Sequence, residues 1–278
     1  MKVERKNIPT LSYSELLKSF EGIGLISIDI ISSWRANHGA VLDKINANGV
    51  HDVVTDVDIA IEELTRQTIE NSTSGIKVLG EESFKQDFTP TEEPFYVVVD
   101  PIDGTREFIN GTQDWSISIC AVENNIPVVA SVFLPDKNEL FTSIRGSGVW
   151  LNGKPFYPQL EKNGLIGVSP RQIKEDAFKS KIERSQLTPT HISALTPKIC
   201  AILRGDIEAA VYFEQEGVSA ALWDYAAVHL LIHEYGGRMT SLTGEELPFS
   251  GNEVIHKKGW VAVADKSNHD QLLACLQT

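Results

Sequence analysis

Three cysteines in 278 residues, Cys120, Cys200 and Cys275, are odd in number, far apart and without Cys-x-x-Cys spacing. This argues against a disulfide framework and a cysteine zinc site, and it fits a reducing compartment. No uninterrupted apolar run reaches the length of a membrane span. The first residues, Met1-Lys2-Val3-Glu4-Arg5-Lys6-Asn7, are polar, with no apolar signal segment behind them. Basic charge is scarce: 25 Lys and Arg stand against 38 Asp and Glu, a net charge of −13. Nucleic-acid backbones are bound by basic stripes, so no nucleic-acid polymer is expected as a partner. Repeats and low-complexity segments are absent as well. What is there is 42% hydrophobic and 23% charged, enough for a sizeable core in one large domain or two. The expectation is a soluble cytoplasmic protein with no membrane partner.

Leu16, Leu17, Phe20, Ile23, Ile26, Ile30 and Trp34 recur at helical spacing and predict an amphipathic helix over about 11–36. Residues 37–52, rich in Gly and Asn, read as a loop. A second helix is expected over about 57–71, with Thr55 or Asp56 as N-cap and acids in its first turn, where capping is their plain reading. Ile76–Leu79 reads as a strand, then a polar loop runs to Pro94. Four further runs, 116–122, 127–133, 139–143 and 148–151, are separated by turn signals such as Asn124-Asn125 and Asn152-Gly153. They predict a largely antiparallel sheet. From about 164 strands (165–168, 209–213, 260–264) alternate with helices (171–183, 196–204, 222–235, 267–276), an α/β rhythm. The Gly- and Pro-containing stretch 152–164 is the expected boundary between subdomains 1–155 and 156–278.

The most informative stretch is Tyr96-Val97-Val98-Val99-Asp100-Pro101-Ile102-Asp103-Gly104-Thr105. Three valines predict a buried strand, and Pro101 and Gly104 are expected to stop it. Two acids beside free backbone N–H groups suit hard cations and a phosphate. Glu81 also ends a strand, and Asp224 opens an apolar helix beside Trp223. Four carboxylates brought together repel; divalent metal resolves this, and Mg²⁺ favours carboxylates, water and substrate phosphate. A two-metal site then holds a phosphate ester for in-line attack by water.

Gly80-Glu81-Glu82-Ser83, Asp100-Pro101-Ile102-Asp103-Gly104-Thr105 and Trp223-Asp224-Tyr225-Ala226-Ala227 with Gly236-Gly237 resemble, in order and spacing, the inositol monophosphatase superfamily. The resemblance implies an α/β (α+β) fold layered αβαβα, with Mg²⁺-dependent, Li⁺-sensitive hydrolysis of a phosphate monoester and no covalent phosphoenzyme. It implies that Glu81, Asp100 and the Ile102 carbonyl hold one metal and that Asp100, Asp103 and Asp224 hold a second, within a set of two or three ions. Thr105 is then the residue that helps activate water, oriented by Asp58, with Glu82 a supporting acid. The N–H groups of Gly104 and Thr105 are expected to take phosphate oxygens. A haloacid-dehalogenase reading fails because two residues separate the acids, and an EF-hand lacks its ligand alternation. A non-catalytic, metal-binding regulatory protein on the same fold is the remote alternative, opposed by the intact acids. A homodimer is the assembly such a family suggests.

The substrate signals diverge. Arg106-Glu107-Phe108-Ile109 resembles the Lys-Glu-Phe-Ile of the branch that hydrolyses 3′-phosphoadenosine 5′-phosphate, and Lys198 matches a lysine of that branch. By itself Lys198 reads as an exposed lysine. Phe213-Glu214 instead resembles the aromatic-Glu of inositol phosphatases, although Glu216 is placed to replace Glu214. Ser193-Ala194 stands where that family has Gly-Ser or Gly-Thr before a helix. Inositol phosphate and phosphoadenosine phosphate rank nearly equal, ahead of histidinol phosphate and sugar phosphates. His229 and His233, four apart on a helix, read as core or subunit-contact histidines rather than a zinc pair.

Overall fold

A computed structural model of the chain describes residues 11–45, 51–73, 75–84, 93–158, 162–214, 220–249 and 254–277. Helix α1 (Tyr13–Asn37) starts at a capping box in which Ser12 and Glu15 satisfy each other's backbone N–H groups. A hairpin of β1 (Val41–Ile45) and β2 (His51–Thr55) follows, where the sequence predicts a loop. Val41, Leu42 and Ile45 are all exposed, so the hairpin lacks the apolar alternation that marks a half-buried strand. Helix α2 (Asp56–Ser72) begins at Thr55, as expected from sequence.

Strands β3 (Lys77–Gly80) and β4 (Phe95–Asp103) pair in parallel. After the short α3 (Thr105–Ile109) come β5 (Ser116–Glu123), β6 (Ile126–Leu134), β7 (Glu139–Ile144), β8 (Val149–Leu151) and β9 (Lys154–Phe156). The last five are antiparallel, and β3 to β9 form one seven-stranded sheet in chain order. The second half supplies β10 (Leu165–Val168), α4 (Asp176–Ser185), β11 (Thr188–His191), α5 (Leu195–Arg204), β12 (Ala209–Tyr212), β13 (Ala220–Ala221) and α6 (Leu222–Tyr235). It ends with β14 (Arg238–Ser241), β15 (Ile255–His256), β16 (Trp260–Val263) and α7 (His269–Gln277). A five-stranded mixed sheet runs in the order β11-β10-β12-β16-β14. The helix predicted at 171–183 is a single tight turn over Gln172–Lys174 followed by α4.

Period-two burial on β4 assigns the layers. Val97 and Val99 pack with Phe20 and Ile23 of α1 and Ile61 of α2. Tyr96 and Val98 face the other way, onto Ile199 of α5 and Tyr225, Val228 and Leu231 of α6. The same cluster continues into Ala210, Trp260 and Ala262 of the second sheet, so α5 and α6 are covered on both sides. This explains why α6 is apolar all round rather than striped. The far face of the second sheet packs on Ile182 of α4 and Leu272, Leu273 and Leu276 of α7. The order is helices, sheet, helices, sheet, helices, as the αβαβα expectation states.

Candidate active site

The acids are placed by the strand ends. Asp100 shares the parity of Tyr96 and Val98, so its side chain lies on the α6 side of the sheet. Pro101 does not stop β4. The register shifts between Asp100, opposite Ser118, and Asp103, opposite Ser116, and the strand continues through a bulge to Asp103. A bulge is the position where a residue without N–H is tolerated, and it re-aims the side chains around it. Gly104 then turns with φ +95°; a Cβ there would lie 3.0 Å from the Asp114 carbonyl oxygen and 3.1 Å from Ala194. The turn delivers Thr105 to the start of α3.

Glu81 follows β3 through a similarly constrained glycine. A Cβ on Gly80 would sit 2.1 Å from the Glu62 carboxyl carbon. Glu62, buried on α2, accepts the backbone N–H groups of Glu82 (2.8 Å) and Ser83 (3.1 Å) and pairs with Arg66 (3.0 Å). It braces the turn that carries Glu81. Asp224 opens α6 and accepts the Ala221 N–H at 2.6 Å. Thr196, in the first turn of α5, donates its N–H to Asp103 and its hydroxyl to the Asp224 carbonyl at 3.4 Å.

Glu81, Asp100, Ile102, Asp103, Gly104, Thr105, Ser193 and Asp224 line one cavity of about 420 Å³, a volume suited to a small metabolite. Burial, then the neighbouring Glu81, Asp103 and Asp224, raise the Asp100 carboxyl well above its ordinary range. Burial, Glu81 and Asp103 do the same to Asp224. Burial lifts Asp103 to about 6 against the hydrogen bonds from Thr196. Asp100 Oδ1 and the hydroxyls of Ser116 and Ser118 opposite are buried without a hydrogen-bond partner. Crowded, under-satisfied oxygens of this kind fit a hard divalent cation.

The other predicted residues stand around this group. Asp58 serves two roles. It accepts the Thr55 N–H at 2.8 Å as part of the α2 cap, and its second oxygen accepts the Thr105 hydroxyl at 3.3 Å. Burial raises Asp58 to about 6 despite the Thr55 hydrogen bonds. Glu82 lies behind the cavity, against Lys44, and burial followed by Glu81 lifts it to about 8. Glu214 is exposed and is not part of the cavity wall, and Glu216 lies outside the described residues. Lys198 is not an exposed lysine: it is 1% exposed, its stem against Gly167, its ammonium 3.1 Å from Ser169 Oγ and 5.5 Å from the Trp260 ring centre. Burial brings it down to about 8. It stays tolerable because the ammonium keeps a hydroxyl and an aromatic face.

Sequence reasoning missed Lys44, which reaches Glu81 and Glu82 from β1, and Thr196. It also missed His51, Arg171 and Tyr212, which share the cavity wall. Parity along β12 was the available signal for Tyr212: it faces the cavity while Phe213 stacks on Phe178 on the other side.

The profile of the inositol monophosphatase family matches residues 14–278. The inositol-1-monophosphatase of Bacillus subtilis is 27% identical over 223 residues, covering 74% of this chain and 82% of its own. The histidinol-phosphatase of Mycobacterium tuberculosis is 29% identical over 233 residues, covering 79% and 86%. Among solved structures, the staphylococcal inositol monophosphatase-II with 2′AMP bound superposes with a TM-score of 0.73 at 22% identity, covering 94% of this chain and 98% of that one. With three acidic motifs in one cavity and the family profile spanning nearly its whole length, the chain belongs to the inositol monophosphatase family, a family of phosphoric monoester hydrolases.

Proposed function

We propose that this chain is a Mg²⁺-dependent, Li⁺-sensitive phosphomonoesterase that hydrolyses a small phosphate monoester of the inositol-phosphate type, without a covalent intermediate. The observation that carries the reading is the convergence of Glu81, Asp100, Asp103 and Asp224 on one cavity beside the Gly104–Thr105 turn, with Asp100 Oδ1 buried and unpaired. Glu81, Asp100 and the Ile102 carbonyl would hold one Mg²⁺, and Asp100, Asp103 and Asp224 another. Bound there, Mg²⁺ supplies positive charge for the phosphate oxygens and makes water a better nucleophile. The chain's own residues do the rest. The backbone N–H groups of Gly104 and Thr105 take phosphate oxygens at the start of α3. The Thr105 hydroxyl donates to Asp58 or to the Ile102 carbonyl, which leaves its lone pairs to accept a hydrogen bond from the attacking water; through the bond to Asp58, Thr105 would pass on the water's proton as it takes it up. Asp58, raised by burial, is a better proton acceptor than an exposed carboxylate.

A second reading, hydrolysis of 3′-phosphoadenosine 5′-phosphate, is favoured by the cations of the wall. Arg106 and Arg171 line the cavity, and Lys198 sits behind Ser169 of the same wall. A second phosphate would add an anionic partner for these cations, of which Arg106 already lies 3.5 Å from Asp52. The staphylococcal relative that holds 2′AMP is in keeping with a nucleotide in such a site. The test is a phosphate-release panel of inositol 1-phosphate, phosphoadenosine phosphate, histidinol phosphate and fructose 1,6-bisphosphate, with Mg²⁺, with EDTA and with millimolar Li⁺. The expected result is release that needs Mg²⁺ and falls with Li⁺. Undiminished activity in EDTA would sink the mechanism, and the preferred ester decides between the two readings.

A further inference from the structure

Away from the acidic cavity, His229 and His233 stand four residues apart on α6 with ring centres 4.3 Å apart. Glu246, in the segment after β14, completes a set in which one ligand atom from each residue lies within 4.8 Å of the others. His229 Nε2 is shielded from solvent, has no hydrogen-bond partner and lies 4.0 Å from Glu246 Oε2. The rest of the environment orients the donors. The His233 ring lies beside the Met239 backbone. Arg238 holds the other Glu246 oxygen at 3.4 Å. Phe249 packs edge-on against the His229 ring at 4.8 Å and closes one side.

From this arrangement we propose a second metal site, formed by His229, His233 and Glu246, that takes a borderline divalent transition ion such as Zn²⁺ rather than Mg²⁺. Two imidazoles and one carboxylate are a nitrogen-rich donor set, which zinc accepts and magnesium does not favour. Zinc–ligand bonds of about 2.0–2.1 Å require donors no more than about 4 Å apart, so the site closes by roughly 1 Å on binding. Glu246 is 61% exposed and His233 is exposed, so both have room to move. Burial holds His229 well below its usual range, and partial shielding of the His233 ring lowers it too, so both imidazoles are neutral near pH 7. Arg145 and Arg238 are the opposing charges nearby, and Glu246 offsets them. A bound ion would bolt the end of α6, the helix that Asp224 opens, to the segment leading into β15.

The experiment is a Zn²⁺ titration of the full chain by calorimetry in saturating Mg²⁺, repeated on His233→Ala and Glu246→Gln. Both positions are exposed, so neither change threatens folding. The wild type is expected to bind one Zn²⁺ that millimolar Mg²⁺ does not displace, and each variant to bind it at least about tenfold more weakly. Asp103→Asn, which alters only the acidic cavity, should keep this Zn²⁺. Co²⁺ substituted into the wild type should give visible absorption of nitrogen-ligated cobalt that His233→Ala lacks. Equal Zn²⁺ stoichiometry and affinity in wild type and His233→Ala would overturn the site.

Discussion

Lys44 places its ammonium 2.8 Å from Glu81 Oε1, and 2.6 Å from Glu82 beside it. Burial alone would make that ammonium easier to deprotonate, but the two carboxylates reverse the effect and hold it charged. A lysine on the β1–β2 hairpin therefore neutralises the charge that Mg²⁺ is proposed to meet. Lys44→Met should lower the Mg²⁺ concentration for half-maximal phosphate release several-fold. In EDTA it should cost about 1–3 kcal/mol of stability, because two carboxylates lose their partner. A Mg²⁺ titration of initial rates and a urea melt in EDTA check both. An unchanged or higher Mg²⁺ requirement would show that Lys44 does not compete.

Asp103→Asn should lower kcat by at least about a hundredfold while the protein stays folded. The asparagine carbonyl can still accept the Thr196 N–H, so the tie to α5 survives. Losing one of the crowded charges relieves repulsion, so the thermal midpoint in EDTA should hold or rise. Rates and melting curves measured side by side are decisive: a normal rate would remove Asp103 from the metal set, and an unfolded variant would make it structural.

Gly80→Ala places a methyl carbon 2.1 Å from the Glu62 carboxyl carbon, in a brace that has no spare room. Overpacking of this kind costs about 1–3 kcal/mol. The displaced brace also moves Glu81, so Mg²⁺ affinity should fall together with stability. Gly22→Ala on α1, where nothing lies within 4 Å of the added atom and the backbone is helical, is the control for the steric effect. Equal stability in the Gly80 variant and wild type would show that α2 yields at this point.

Acid should weaken the fold through His229. Burial, with His233 and Arg145 adding to it, holds its imidazole well below the usual range. Its neighbours are His233 on α6, Glu246 and Phe249 on the segment after β14, Arg238 on β14, and Arg145 from the β7–β8 turn. The unfolded chain takes a proton at this site as pH falls through about 6.5, and the folded chain does not. The unfolded state then binds more protons, so stability drops below that pH, by up to about 1.4 kcal/mol per unit. The raised carboxylates of the active site act in the opposite sense, so the comparison is with His229→Gln. Between pH 7.5 and 5.5 the variant's thermal midpoint should fall less steeply than the wild type's. Parallel profiles would contradict a buried neutral His229.

What could be seen in advance follows from how strongly the sequence signals burial. Val97, Val98 and Val99 between an acid and a polar loop mark a strand covered on both faces, and the layered fold follows from such strands alternating with apolar helices. The acids stood out because Glu81, Asp100 and Asp103 end strands and Asp224 lies beside a buried Trp223, although Asp224 also has the plain role of a helix-start residue that accepts the Ala221 N–H. β1, β11 and β14 were invisible: 41–45 is exposed, and Thr188–His191 and Arg238–Ser241 are largely polar, so neither period nor composition announces them. Lys44 went unseen with its strand. Lys198 misled because a lone lysine on a helix ordinarily points to water, and only the sandwiching of α5 between two sheets reverses that. Ser169 and Trp260 come from distant strands, and no local pattern brings them to it.

Glu81, Asp100 and Asp103 come from one sheet, whereas Asp224 and Thr196 come from the two helices sandwiched between that sheet and the other. A nascent chain therefore carries three of the four acids long before it carries the last. Until α5 and α6 dock, the first sheet presents only part of the proposed metal set. If that set is the catalytic one, competence arrives only with completed folding, and a chain cut short before α6 would be inactive.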